Sequence, residues 1–234
     1  MSTPNPETIH PALWRASQLA RPAGRTLPTG YPELASELPG GGWPVGTLVE
    51  LLTRQPGVGE LRLLRPALLA AASRPVALIQ PPHTPQALAL TSWGLPAQQI
   101  LWIRGQRTAD TLWATEQLLR AGTCGAVLLW QQHIRSDALR RLHLAAQSGE
   151  ALFCLVRPIA CARDASPAPL RLAISPAAGG IEVTFLKRRG PQQDAPLLIW
   201  LEPSPSLLHR HVAPVDLPTP AIATPRSVPA ELVH

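Results

Sequence analysis

The segment from Arg54 to Leu61 has the spacing of a phosphate-binding loop but not its residue types. A working loop follows the pattern GxxxxGK[ST], in which backbone N–H groups and a lysine hold phosphate oxygens while a Ser or Thr hydroxyl binds Mg²⁺. When Gly59 is aligned with the second glycine, Arg54 stands at the first glycine, Glu60 at the lysine and Leu61 at the hydroxyl residue. Only Gly59, with Gly57 inside the loop, keeps the glycine character of the motif.

Glu60 changes the electrostatics of the loop most, because it puts a carboxylate where a cation would meet a triphosphate. The positive end of a helix dipole attracts anions, and a carboxylate in the first turn can take that position itself. We therefore predict that Glu60 fills the anion position of its own loop.

The apolar segment 126–130 also lacks the acid that a nucleotide hydrolase needs. In phosphate-loop enzymes an aspartate on such a strand orders Mg²⁺, whereas this strand runs into Trp130, Gln131 and Gln132. We expect no catalytic residue, no metal and no cofactor.

Alternating strand and helix patterns surround the loop and must position it. They predict an α/β fold of three layers with a mostly parallel central sheet, 126–130 as the central strand, and late antiparallel hairpins that include a turn at 178–180. Predicted strands are 48–52, 76–79, 100–103, 126–130, 152–156, 170–174, 181–186 and 197–201; predicted helices are 61–72, a stretch around 85–90, 108–121 and 136–147, the last capped by Ser136.

Composition divides the chain into three parts. Residues 1–28 are expected to form an N-terminal helix and linker, residues 29–202 the core domain, and residues 203–234 a Pro-rich disordered tail. In the first part Ile9, Leu13 and Trp14 lie at helical spacing or beside it. They form either a partner-binding surface or a cover for the chain's own core.

The chain carries a net charge of +6, and Lys187 is its only lysine. The densest basic cluster is Lys187, Arg188 and Arg189, and a second pair is Arg140 and Arg141. These side chains could meet DNA phosphate, an acidic partner or solvent. The 3 cysteines form no CxxC pair, and no apolar run is long enough to span a membrane, so we expect a cytoplasmic protein without a metal site.

Several segments resemble known proteins related to RecA. The run Thr29-Gly30-Tyr31-Pro32-Glu33-Leu34 and the Gly-rich run from Leu38 to Pro44 are similar to the segment that leads RecA into its first core strand. Other segments look more like the ImuA family: Trp14-Arg15-Ala16, Gly59 to Leu64, Trp113-Ala114, Arg140-Arg141-Leu142, Ser166-Pro167-Ala168 and Leu186 to Gly190.

The resemblance to ImuA implies a RecA-like fold and a role in DNA damage. It implies a non-catalytic protein of the SOS response that acts in error-prone translesion synthesis with an ImuB-type homologue of Y-family polymerases. RecA and a DnaE2-type polymerase would be further partners, with weak DNA contact and a place at the nucleoid during DNA damage. In RecA-like enzymes the strand after the phosphate loop helix carries a glutamate near its end, whereas here Gln80 follows that strand.

Two alternatives remain open from the sequence. One is a division inhibitor similar to SulA, which also resembles the ImuA family. The other is a RecA-like ATPase that uses an atypical phosphate loop.

Overall fold

The computed structural model describes residues 24–189 and 195–201. The predicted N-terminal helix with Ile9, Leu13 and Trp14, and the predicted tail at 203–234, lie outside these residues. Within the described ranges no helix is both long and apolar enough to cross a membrane.

Two sheets and five α-helices make up the described part of the chain. The strands are β1 (Thr26–Pro28), β2 (Gly42–Pro44), β3 (Thr47–Thr53), β4 (Val76–Ile79), β5 (Ile100–Ile103), β6 (Ala126–Trp130), β7 (Leu152–Pro158), β8 (Leu170–Ala177), β9 (Gly180–Lys187) and β10 (Leu197–Trp200). The helices are α1 (Pro32–Glu37), α2 (Glu60–Ala71), α3 (Ala87–Ser92), α4 (Thr108–Ala121) and α5 (Ser136–Ala146), with short 3-10 turns at Ala97–Gln99 and Ile159–Arg163.

The large sheet has the strand order β10-β9-β8-β3-β7-β6-β4-β5. Its strands from β8 to β5 are parallel, while β9 and β10 are added by antiparallel pairing. The predicted change from parallel crossovers to late hairpins is therefore confirmed, including the turn between β8 and β9.

Helices cover the parallel part of the sheet on both faces, as the alternation of side chains along β3 requires. Val49 and Leu51 point to one face and pack in the same cluster as Leu64 of α2. Leu48 points to the other face and belongs to the cluster that contains Leu119 of α4 and Leu142 of α5. The structure thus has a helix layer, a sheet layer and a second helix layer.

The structure differs from the sequence prediction in several details, among them helix α1, which was not predicted. The central strands of the sheet are β3 and β7, and β6, predicted as central, lies between β7 and β4. The residue that caps α5 is Arg135, and Ser136 is already the first helical residue without a capping hydrogen bond. The small antiparallel sheet of β1 and β2 was not predicted, because strands of three residues are too short to show a period.

A buried group of charged side chains joins the three strands β3, β7 and β8. The Glu50 carboxylate accepts a hydrogen bond from Arg157 Nη1 at 3.1 Å and another from Arg171 Nε at 2.5 Å. Glu50 and Arg171 are direct neighbours across the parallel β3–β8 pair. Buried charges need partners of this kind, so Glu50, Arg157 and Arg171 hold the register of these strands.

The same arginines tie the sheet to the 3-10 turn at Ile159–Arg163. Arg171 donates from Nη1 to Ala162 O at 3.1 Å and from Nη2 to Cys161 O at 2.8 Å, and Arg157 donates from Nη2 to Asp164 Oδ2 at 3.3 Å. The positive charges of the two guanidinium groups are therefore balanced by the negative charges of the Glu50 and Asp164 carboxylates.

Glu50→Gln is expected to lower the free energy of unfolding by about 3–5 kcal/mol, because both arginines then lose their charged buried partner. Urea denaturation followed by circular dichroism measures this loss, and Glu182→Gln on the exposed side of β9 is the matched control, expected within about 0.5 kcal/mol of wild type. A loss of less than about 1 kcal/mol for Glu50→Gln would show that the group does not hold the sheet.

Candidate functional site

The loop between β3 and α2 keeps the backbone shape that its glycines allow. Gly57 has φ 82° and Gly59 has φ 115°, both in the left-handed region that favours glycine. Gly59 is the N-cap residue of α2, and a Cβ atom there would lie 3.1 Å from Ile181 Cγ2 and 3.2 Å from Leu201 Cδ1. The second glycine of the motif is therefore needed for both conformation and packing.

The side chain of Glu60 occupies the concave side of this loop. Its carboxylate accepts hydrogen bonds from Gly57 N to Oε1 at 2.9 Å and from Gly59 N to Oε2 at 3.2 Å. Backbone N–H groups of this kind are the donors that a phosphate loop offers to its ligand. The structure places a carboxylate of the chain itself on these donors.

Trp130, the last residue of β6, supplies a third donor to the same carboxylate. Its indole Nε1 donates to Glu60 Oε1 at 3.3 Å, and the two residues are 7% and 3% exposed. From the sequence alone, Trp130 is only the residue that stands where an acid would bind Mg²⁺. Its contact with Glu60 depends on the pairing of strands that are far apart in sequence, so no local pattern indicated it.

The remaining residues of the motif do not face a common ligand position. Arg54 is exposed, and Leu61 packs against the hydrophobic core as a half-buried side chain. At the two motif positions whose side-chain oxygens would bind Mg²⁺, the chain has a leucine and a tryptophan.

Gln80, which follows β4, has a left-handed backbone with φ 52°. Its amide Nε2 donates to Gly105 O at 2.6 Å, and its backbone N–H donates to Ile103 O at 2.9 Å. Gly105 lies between β5 and α4, so this hydrogen bond joins the end of β4 to the β5–α4 connection. A left-handed non-glycine residue is strained and persists only where such contacts hold it.

A cleft of about 290 Å³ lies beside the loop and is mainly apolar. Glu60 and Trp130 are part of its wall, together with Leu61, Pro81, Pro82, Pro85, Leu90 and Trp93. A polyphosphate chain needs cations and N–H donors along its length. Arg62 and His83 also line the cleft, but most of its wall is apolar, so it suits an apolar group better than a polyphosphate.

Arg188, in the middle of the first basic cluster, does not contribute to an exposed basic surface. Arg188 is largely buried: its Nη1 donates to Glu37 Oε2 at 2.6 Å, and the guanidinium lies 4.8 Å from the centre of the Phe185 ring. Lys187 is exposed and donates from Nζ to Ser166 O at 3.0 Å, while Arg189 is exposed at the end of β9. Of the cluster, Lys187 and Arg189 are the side chains that can offer charge to a partner.

The second basic pair lies on α5. Arg140 is exposed, and Arg141 Nε is 3.6 Å from Glu116 Oε2 on α4. On the same helix, burial and the nearby Lys187 lower the pKa of His143 below its ordinary value. Since Lys187 acts on His143, the end of β9 and α5 contribute positive charge to the same region.

The buried group of Glu50, Arg157 and Arg171 was not among the residues predicted from the sequence. A signal was present, because each of these charged residues interrupts an apolar strand, and a charge in a buried strand must find a partner. Which strands would be neighbours was not readable from the sequence.

Glu60→Ala is expected to lower the free energy of unfolding by about 1–3 kcal/mol, because Gly57 N–H, Gly59 N–H and the Trp130 indole N–H lose their acceptor. Glu60→Gln keeps one carbonyl oxygen and should lose about half as much. Urea unfolding gives both values, with Glu33→Ala on exposed α1 as control. Wild-type stability in Glu60→Ala would mean that the carboxylate does not hold the loop.

No family model matches the chain. Over 101 residues the chain is 32% identical to the cell division inhibitor SulA of Edwardsiella piscicida, a match that covers 42% of this chain and 60% of that protein. The chain thus spans less than two thirds of the length of this curated relative. This similarity relates part of the chain to SulA.

Proposed function

We propose that this protein is a non-catalytic, RecA-like accessory protein of SOS-induced, error-prone translesion DNA synthesis. In this role it is an adaptor that binds an ImuB-type homologue of Y-family polymerases, with RecA and a DnaE2-type polymerase as further partners. The proposal combines the resemblance to the ImuA family with the geometry of the loop.

The observation that carries the non-catalytic part is the position of the Glu60 carboxylate. It accepts from Gly57 N–H, Gly59 N–H and the Trp130 indole N–H, so a phosphate would have to displace a bonded anion and would meet its charge. Displacement would leave the carboxylate at the edge of an apolar cleft without its donors. Nucleotide binding at the loop is therefore disfavoured twice, by repulsion and by the loss of these hydrogen bonds.

The adaptor part is supported by surfaces that offer binding without chemistry. Lys187 and Arg189 present positive charge near α5, and the cleft beside Glu60 is apolar. An apolar cleft accepts an apolar anchor residue of a partner, and exposed charges steer partners of opposite charge.

A cell division inhibitor is the second candidate function, and the partial identity with SulA of Edwardsiella piscicida favours it. The binding partner distinguishes the two functions, because a division inhibitor acts on the division machinery whereas an adaptor of translesion synthesis binds polymerase homologues. Assembly of the host's FtsZ in the presence of the purified protein tests the second candidate.

Affinity capture of the tagged full chain from cells with damaged DNA is expected to recover the ImuB-type homologue, with RecA as a weaker partner. If Ile9, Leu13 and Trp14 form the contact with RecA, Leu13→Asp combined with Trp14→Asp should lower RecA recovery about tenfold and leave ImuB recovery unchanged. Leu88→Asp, at a side chain that is 86% exposed, is the matched control. Inhibition of FtsZ assembly together with no capture of ImuB would contradict the adaptor and support the division inhibitor.

A further inference from the structure

A second cavity, of about 430 Å³, opens at the carboxyl ends of the parallel strands β3, β4, β6 and β7. Its size lies within the range of small-molecule sites, and the crevice outside the carboxyl ends of an open α/β sheet is where such folds bind ligands. Glu60 is not among its lining residues, and Trp130 lies in the wall of both this cavity and the apolar cleft.

The side chains that line this cavity favour an anion. Arg54, Arg157 and His133 are among its lining residues. Within the described part of the chain, no Asp or Glu lines the cavity. The rest of the lining includes Thr53 and the side-chain amides of Gln55 and Gln132. These groups can donate hydrogen bonds to a ligand that carries oxygen atoms.

Arg157 is the unusual member of this set, because one of its donors is not used by the protein. The side chain is 3% exposed, and Nη1 and Nη2 donate to Glu50 and Asp164. Its Nε is buried and has no hydrogen-bond partner among the described residues. Because this Nε is fully buried, a ligand in the cavity does not contact it, and the donors that the wall offers directly are Arg54, Gln55 and Gln132.

The charge balance around Arg157 limits how much negative charge the ligand can carry. Arg157 and Arg171 are already balanced by Glu50 and Asp164. Arg54 remains as the exposed cation of the wall. This balance favours one carboxylate over a phosphate dianion or a polyphosphate, and Trp130, Val156 and Pro158 provide apolar walls for the rest of the molecule.

We propose that this cavity binds a carboxylate-bearing molecule, with the Arg54 guanidinium as the charged donor to its oxygens. The amides of Gln55 and Gln132 bind a neighbouring polar group of the same ligand. The carboxylate belongs either to a small free acid or to the C-terminus of a peptide. Arg54, Gln55 and Pro56 of its wall belong to the same loop as Glu60, but Glu60 itself does not line the cavity, and the site does not depend on the proposed role in translesion synthesis.

Isothermal titration of the full chain with N-acetylglycine and with its uncharged amide, N-acetylglycinamide, tests the proposal. The acid is expected to bind saturably, and the amide at least about tenfold more weakly, because a hydrogen bond to a charged group is worth about a tenfold to hundredfold change in affinity. Acetyl-triglycine with a free C-terminus distinguishes the two sources. Tighter binding of the tripeptide than of N-acetylglycine indicates a chain terminus, and weaker binding indicates a small acid.

Arg54→Ala should weaken binding of the acid about tenfold or more, while Arg140→Ala, an exposed arginine that does not line the cavity, should leave it unchanged. Because Arg54 is exposed, its replacement does not disturb the fold, which the thermal unfolding midpoint checks. The proposal is overturned if no carboxylate binds, if acid and amide bind equally, if inorganic phosphate binds more tightly than the acid, or if Arg54→Ala has no effect.

Discussion

The carboxylate of Glu60 is the interaction on which the candidate site depends. A helix that begins directly after a Gly-rich turn presents free N–H groups and the positive end of its dipole, and an anion is a favourable partner for both. Here the anion is covalently part of the helix, so it is always present at the loop and no dissolved phosphate matches its effective concentration. The Trp130 indole adds a donor from the end of β6, which holds the carboxylate from a second element of the fold.

The sheet around this loop is stabilised by a second internal charge arrangement that also uses no ligand. Glu50 joins Arg157 and Arg171 across the central strands, and Asp164 completes the neutralisation. Glu50 lies on β3 and Glu60 is the first residue of α2, so both buried acids belong to the same β3–loop–α2 unit. The part of the fold that binds nucleotide in phosphate-loop proteins is thus held by its own side chains.

Local pattern was enough to predict the strands and helices that carry the loop. The bounds of β4, β5, β6 and α4 follow from apolar runs and from Gly122, which ends α4 with a left-handed φ of 63°. The pattern did not contain the order of strands, so β6 was predicted as central although β3 and β7 are. It also could not show that Arg188 turns inward to Glu37, because that contact joins residues 151 positions apart. Contacts between residues that are far apart in the sequence are therefore the part of the site that the sequence does not predict.

A protein whose phosphate-binding loop is filled by its own carboxylate should differ most from an enzyme of the same architecture in its affinity for nucleotide. Equilibrium dialysis of the purified full chain against ATP with Mg²⁺ measures it directly, and the structure leads us to expect no saturable binding up to millimolar ATP. Micromolar binding accompanied by hydrolysis that follows the protein's own elution peak would contradict the account, because ATP would then have displaced Glu60 from the loop.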